Sequence, residues 1–430
     1  GIFRTPAPIM ALVGCVSLFY GVWILGGIAT ILGAILYAEL VAMLPRSGGP
    51  YAYLKVAYPP LWSFLRGWAM FFVSETGSIA SVAIVFSEYT LALLELTMGF
   101  QSDRTVELTL ALGLIWILTW LNLYGVRLAG KMQDYLSLLK ILALGLVIVA
   151  GFSRSGRLEN LTGDFWPDKD FWASLTATFA ALRYSFFAYS GWEGSTYVAE
   201  EVKNPRRNLP LALFAGISGI LLLYLAANTA YLYQLGAQGL ASSRQVAVDA
   251  LQLALGSTGG ILISLAIVFN TSGNVSAQIM VKSRTWYAMG RDGLFPRWLG
   301  ELNHHGVPAR ALLIQGFWAS VLLLAAGLAE NIYNRIIDFF SFTSTIFNIS
   351  TFAAVWILRR KYPDALRPYR AWGYPYTLWI VLLIQGAFLF FTLWTAFWPS
   401  MMGAALTLTG LIYYYWRKRK GEMITGAAPP

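Results

Sequence analysis

Cysteine occurs once in this 430-residue chain, at Cys15, so no intramolecular disulfide can form. Histidine occurs twice, at the adjacent His304 and His305. With no cysteine nearby and no third ligand, the pair does not read as a metal site. Charge is scarce too: 12% of residues are Asp, Glu, Lys or Arg, against about 25% in soluble domains. The few acids are scattered, so no pair of carboxylates marks a hydrolase. A phosphate loop, a catalytic-triad signature and a dinucleotide fingerprint are all missing. No cofactor and no enzymatic activity are therefore expected. The first residues lack the basic lead and cleavage pattern of a signal peptide.

What the chain has instead is apolar length: 57% of it is hydrophobic. Windows of about 20 apolar residues mark membrane spans. They fall at 17–45, 66–96, 105–126, 131–152, 172–200, 208–236, 256–288, 308–328, 334–360, 374–397 and 399–416. The apolar piece 1–14 is too short to cross and starts abruptly, as expected of a span whose upstream half lies outside this sequence. With it, twelve segments are expected, in an all-α polytopic membrane protein embedded in a lipid bilayer.

Most of the 31 basic residues fall in alternate loops, with Arg66, Lys203, Lys282 and Arg359 among them. An excess of Lys and Arg marks the cytoplasmic side, which predicts both termini inside. The net charge of +10 then reflects those loops and not a nucleic-acid partner. Pro205, Pro210, Pro296, Pro308, Pro363, Pro368 and Pro375 are expected to punctuate the loops and stop helices. The polar and aromatic loop 153–171 is expected to lie across the outer face.

The fifth long span carries an oddity at its centre, Ser190-Gly191-Trp192-Glu193-Gly194. Glycine is poor in a helix interior, and a carboxylate at membrane depth is expensive. A broken helix there is tolerated only where it lines a cavity or is buried in protein. Gly1-Ile2-Phe3 opens the chain in a similar way, just before a short apolar half-helix. Breaks in matching places of two inverted repeats point to a transporter's binding site. The repeats are expected at 1–152 and 172–360, with two further spans at 374–416. A half-helix N-terminus favours a carboxylate, whereas unwound carbonyls favour an ammonium, so paired breaks suit a zwitterion.

Residues 186–210 (FFAYSGWEGSTYVAEEVKNPRRNLP) resemble the sixth-helix motif of L-type amino acid transporters, within the amino acid–polyamine–organocation superfamily. Gly1-Ile2-Phe3 resembles the end of that family's first-helix glycine motif. Residues 37–40 (YAEL) with 46–53 (RSGGPYAY) resemble its second helix and following loop. Ser283-Arg284 with 290–296 (GRDGLFP) resemble the end of the eighth helix, and 338–342 (DFFSF) the tenth. The matches run in order over nearly the whole chain. The resemblance implies a LeuT-type fold of five plus five inverted-repeat helices and two more.

It also implies roles. The substrate α-carboxylate would meet backbone near Gly1 and Ile2. The α-amino group would meet carbonyls near Phe187, Ala188 and Ser190, beside Gly191. Phe187 resembles the aromatic gate over bound substrate, and Trp192 a prop for the unwound segment. Lys140 matches a fifth-helix lysine whose ammonium replaces a sodium ion, which implies sodium independence. Glu193 departs from the commoner asparagine. It could meet a cationic substrate side chain, a proton, a sodium ion or Arg183. Glu75, a second acid at depth, is expected near it, and two close acids would invite a proton or a dibasic partner. Ser272, Gly273 and Asn274 are candidate lining residues. Glu200 and Glu201, with Lys203, Arg206 and Arg207, resemble an intracellular gate network.

The expected function is amino acid transport by alternating access. A sodium-independent exchanger of neutral or cationic L-amino acids is the first reading, and a proton-coupled symporter of cationic amino acids or polyamines the second. Heavy-subunit partners in this family attach through a cysteine between spans three and four. The loop 99–105 has none, so a stand-alone prokaryotic transporter in the cell inner membrane is expected, without a disulfide-linked heavy subunit.

Overall fold

The computed structural model describes residues 1–430 except 47, 101–102, 154–155, 198–201, 329–330 and 421–430; for 126–137 and 153 it describes the backbone alone. The described residues form helices and connecting turns, with no strand among them. In chain order the helices are α1 (Pro6–Val13), α2 (Val16–Met43), α3 (Pro50–Ala57), α4 (Pro60–Ala69) and α5 (Glu75–Met98), with a π-helical turn at Met70–Ser74 between the last two. Then come α6 (Arg104–Asn122), α7 (Val126–Ser153), α8 (Glu159–Thr162), α9 (Phe171–Tyr189) and α10 (Gly194–Tyr197). The second half holds α11 (Pro205–Ser242), α12 (Val246–Leu255), α13 (Ser257–Arg291), α14 (Ala309–Ala326), α15 (Ile332–Lys361), α16 (Tyr376–Thr395) and α17 (Phe397–Arg419).

Eight of these segments are long and apolar enough to cross a membrane by length and composition. The most apolar window of α11 has a mean hydropathy of 2.2, yet only 22% of it is buried within the protein. Leu222, Leu383, Trp394 and Ile412 are likewise exposed. So much exposed apolar surface on long helices calls for lipid as its solvent. The chain is an all-α polytopic membrane protein.

α2 and α9 lie side by side at the centre. The Ser185 hydroxyl donates to the Val22 carbonyl at 3.3 Å and the Tyr189 hydroxyl to that of Trp23 at 3.2 Å. Both bonds satisfy polar groups that lipid cannot. α5 and α13 run antiparallel. A Cβ at Gly260 would meet Leu96, whereas Glu75, at the other end of α5, meets Lys282. The loop 153–171 fastens to neighbouring helix ends. The Asn160 amide donates to the Tyr233 carbonyl, and the Lys169 ammonium to that of Leu12.

Several boundaries differ from the sequence reading. Pro210 does not stop a helix; it sits inside α11 as the sixth residue and removes one intrahelical hydrogen bond without ending the helix. Residues 246–255, between two expected spans, form α12, whose ten-residue length hid it from a search for spans. Arg66 and Lys282 were expected in loops. Both are helical and buried, at 3% and 7% exposure.

Candidate functional site

The break in the fifth long span is real in three dimensions. α9 ends at Tyr189, Ser190 is extended, and α10 begins only at Gly194. Gly191 takes φ +95°, a left-handed value that a side chain strongly disfavours. The Ser190 hydroxyl turns back onto the Phe187 carbonyl at 2.7 Å, and the Tyr224 hydroxyl donates to the Ala188 carbonyl at 3.1 Å. The chain's first turn approaches this break closely. A Cβ on Gly1 would lie 3.3 Å from the Ala188 carbonyl oxygen, so only a glycine fits comfortably.

Between the first turn and the break lies a cavity of about 410 Å³, within the roughly 300–1,000 Å³ range of small-molecule sites. Its wall brings together Gly1, Ile2, Glu75, Lys140, Phe187, Ala188, Ser190, Gly191 and Glu193. Phe187 packs its ring against Tyr333 at 5.9 Å and Phe340 at 5.7 Å. Trp192 lines the cavity and rests edge-on against Tyr37 at 4.8 Å. Asn274 also reaches the wall, whereas Ser272 and Gly273 do not; Asn270 and Thr271 lie there instead.

The sequence reading missed the residue that settles what Glu193 faces. Lys282, on α13, donates to Glu75 Oε2 at 2.6 Å and lies 3.9 Å from Glu193 Oε1. Its ammonium also sits 4.8 Å above the Tyr197 ring. The Arg183 alternative for Glu193 is not realised, because Arg183 Nε pairs with Asp338 Oδ1 at 3.2 Å. A signal for Lys282 was present. Asn270, Asn274, Gln278 and Lys282 recur every four residues, which puts them on one face of an apolar helix. All four line the cavity.

The π-helical turn Met70–Ser74 positions Glu75. The widened turn lets the Thr76 hydroxyl reach the Phe71 carbonyl at 2.6 Å, and the Trp318 indole N–H takes that of Phe72 at 2.9 Å. Such turns cluster at functional sites, and this one has no composition cue in the sequence.

Ion pairs lie on both sides of the cavity. Arg4 meets Glu88 at 3.1 Å, thirteen residues along α5 from Glu75, or about 20 Å at helical rise. Lys55 meets Asp292 at 2.8 Å, ten residues beyond Lys282 and just past the end of antiparallel α13, so on the opposite side. Among the described residues no cluster of metal-ligating side chains forms, and none pairs ionically with Lys140. Glu200 and Glu201 lie outside the described residues.

A bundle of membrane-crossing helices, with a cavity at a broken helix and a chain opening packed against it, defines a membrane transporter. The comparisons make the class specific. The family model for amino acid permeases matches residues 1–417. The chain is 32% identical to the large neutral amino acids transporter small subunit 2 of Oryctolagus cuniculus, over 97% of this chain and 78% of that protein. It is 31% identical to the Asc-type amino acid transporter 1 of Mus musculus, over 86% and 68% of the two chains. Identity to the b(0,+)-type amino acid transporter 1 of Mus musculus is 28%, over 96% and 83%. The chain belongs to the amino acid permease family and is an amino acid transporter, in keeping with the L-type resemblance of its motifs.

Proposed function

We propose that this transporter moves an amino acid zwitterion by alternating access and exchanges one amino acid for another without sodium. The observation that carries the reading is the meeting of the non-helical first turn, 1–4, and the helix break, 190–193, at one cavity. Amides of the first turn suit the substrate carboxylate, near Gly1 and Ile2. Carbonyls around the break suit its ammonium, near Phe187, Ala188, Ser190 and Gly191. Phe187 covers the site as an aromatic gate. Lys140 brings a fixed ammonium to the same cavity and takes the place of a bound sodium ion. The Arg4–Glu88 and Lys55–Asp292 pairs open in turn as the two sides alternate.

We further read 1–152 and 172–360 as the two inverted repeats, and 374–416 as the added pair. In this reading the protein is a prokaryotic, stand-alone transporter of the inner or plasma membrane, with both termini in the cytoplasm. One relative carries "small subunit" in its name, which speaks for an assembly in that protein. Here the loop 99–105 has no cysteine, and Cys15 is buried, which supports the absence of a disulfide-linked heavy subunit. The second reading, proton-coupled symport of cationic amino acids or polyamines, rests on Glu75 and Glu193; the Lys282 ammonium beside both favours the first.

Proteoliposomes test the proposal. Uptake of labelled neutral amino acid should require unlabelled amino acid inside, and should be equal in sodium and choline buffers. Uptake into empty vesicles would refute exchange; accumulation driven by a sodium gradient would refute the role given to Lys140.

A further inference from the structure

Among the described residues, six charged side chains line the cavity: Arg66, Glu75, Lys140, Arg183, Glu193 and Lys282. The two carboxylates converge on one ammonium, that of Lys282, at 2.6 and 3.9 Å. Lys282 lies nine residues before the end of α13, only 8% of its side chain is exposed, and the Tyr197 ring supports it from another side. The ammonium is therefore part of the protein, present whether or not substrate is bound. A Lys, Arg or ornithine side chain entering this site gives up water and needs a carboxylate in exchange. Here it would find both carboxylates engaged and would bring a second cation against the first. An acidic side chain would meet Glu75 and Glu193 themselves. An uncharged side chain meets neither opposition.

We propose that Lys282 is a resident cation that fills the acidic subsite formed by Glu75 and Glu193, and that it restricts the cavity to amino acids with uncharged side chains. This rests on the amino acid transport reading above and adds which substrates that site takes. Lys282 thus stands where a cationic substrate's own side chain would otherwise sit. Removing it frees an acidic subsite and should admit such substrates.

Counterflow in proteoliposomes of the purified transporter, with alanine and leucine against lysine, arginine and ornithine, provides the test. In the wild type the cationic signal should be below about a tenth of the neutral one, the scale of one charge-assisted contact. Lys282→Met should raise the cationic-to-neutral ratio by about tenfold or more, and adding Glu193→Gln should reverse much of that gain. Equal transport of both classes by the wild type, or an unchanged ratio in Lys282→Met, would overturn the proposal. Should Lys282→Met fail to fold, Glu75→Gln/Lys282→Met leaves Glu193 as the free acid and carries the same expectation, and the wild-type ratio decides independently. A wild type that carries no amino acid at all refutes the transport reading. Neutral transport with an unaltered ratio refutes only the role of Lys282.

Discussion

Two buried carboxylate clusters in this protein use the same chemistry to different ends. Glu39, on α2, is 2% exposed and fully enclosed. It takes two hydrogen bonds from the Arg359 guanidinium, at 2.8 and 2.6 Å, and a third from the Ala371 amide at 2.6 Å. Arg367 stands 3.7 Å away and is itself held by the Leu358 and Tyr362 carbonyls. Its three hydrogen bonds are short, the Arg367 contact is long at 3.7 Å, and Glu39 does not line the cavity described above. The Glu75–Lys282–Glu193 cluster is also buried, but it faces the cavity, and one of its contacts is loose at 3.9 Å. A closed cluster holds helix ends together. An open one stands where a molecule entering the cavity would meet its charges.

Substitutions can break or sharpen that contrast. Glu39→Ala strands the Arg359 and Arg367 charges, and removing one partner of a buried pair costs about 3–5 kcal/mol. Folded, monodisperse transporter should be lost or its thermal midpoint in detergent strongly lowered. A midpoint near that of the wild type would mean water reaches this cluster. Glu75→Gln should cost less, about 1.5–3 kcal/mol for one charged hydrogen bond, because Lys282 keeps Glu193 nearby. It should give folded protein with a moderately lowered midpoint; a loss as large as that of Glu39→Ala would erase the distinction. Arg310→Ala removes an exposed pair with Glu301, whose side chains are 55% and 61% exposed. It should change the midpoint by the equivalent of at most about 1 kcal/mol, the background for the other two.

Much of the site could be read from the chain because its signals are local. Glycines beside a glutamate in an apolar run, at Gly191 and Gly194, mark a break wherever the helix packs. Phe187, Ala188 and Ser190 follow from their position in the same motif. Lys282 was assigned to a loop because a lysine near the end of an apolar window looks like a flanking charge. Its α-helix runs on for nine more residues, to Arg291, and carries it inward. Glu39 drew notice only as part of a short motif. Its partners, Arg359 and Ala371, lie 320 and 332 residues away, beyond any local pattern. The π-helical turn before Glu75 takes a hydrogen bond from Trp318, on another helix, and no residue type announces it.

By itself the sequence determined that the chain lives in a bilayer, that one helix breaks around Ser190 to Gly194, and that the break carries an acid. These follow from composition and backbone preference, which act within a few residues. Only the tertiary structure decided what that acid meets. Lys282 lies 89 positions further on, and α5 and α13 had to pack antiparallel before Glu75, Glu193 and one ammonium shared a cavity. Charge pairing at membrane depth is a property of packed helices, because a buried ion is tolerated only where another element supplies its partner.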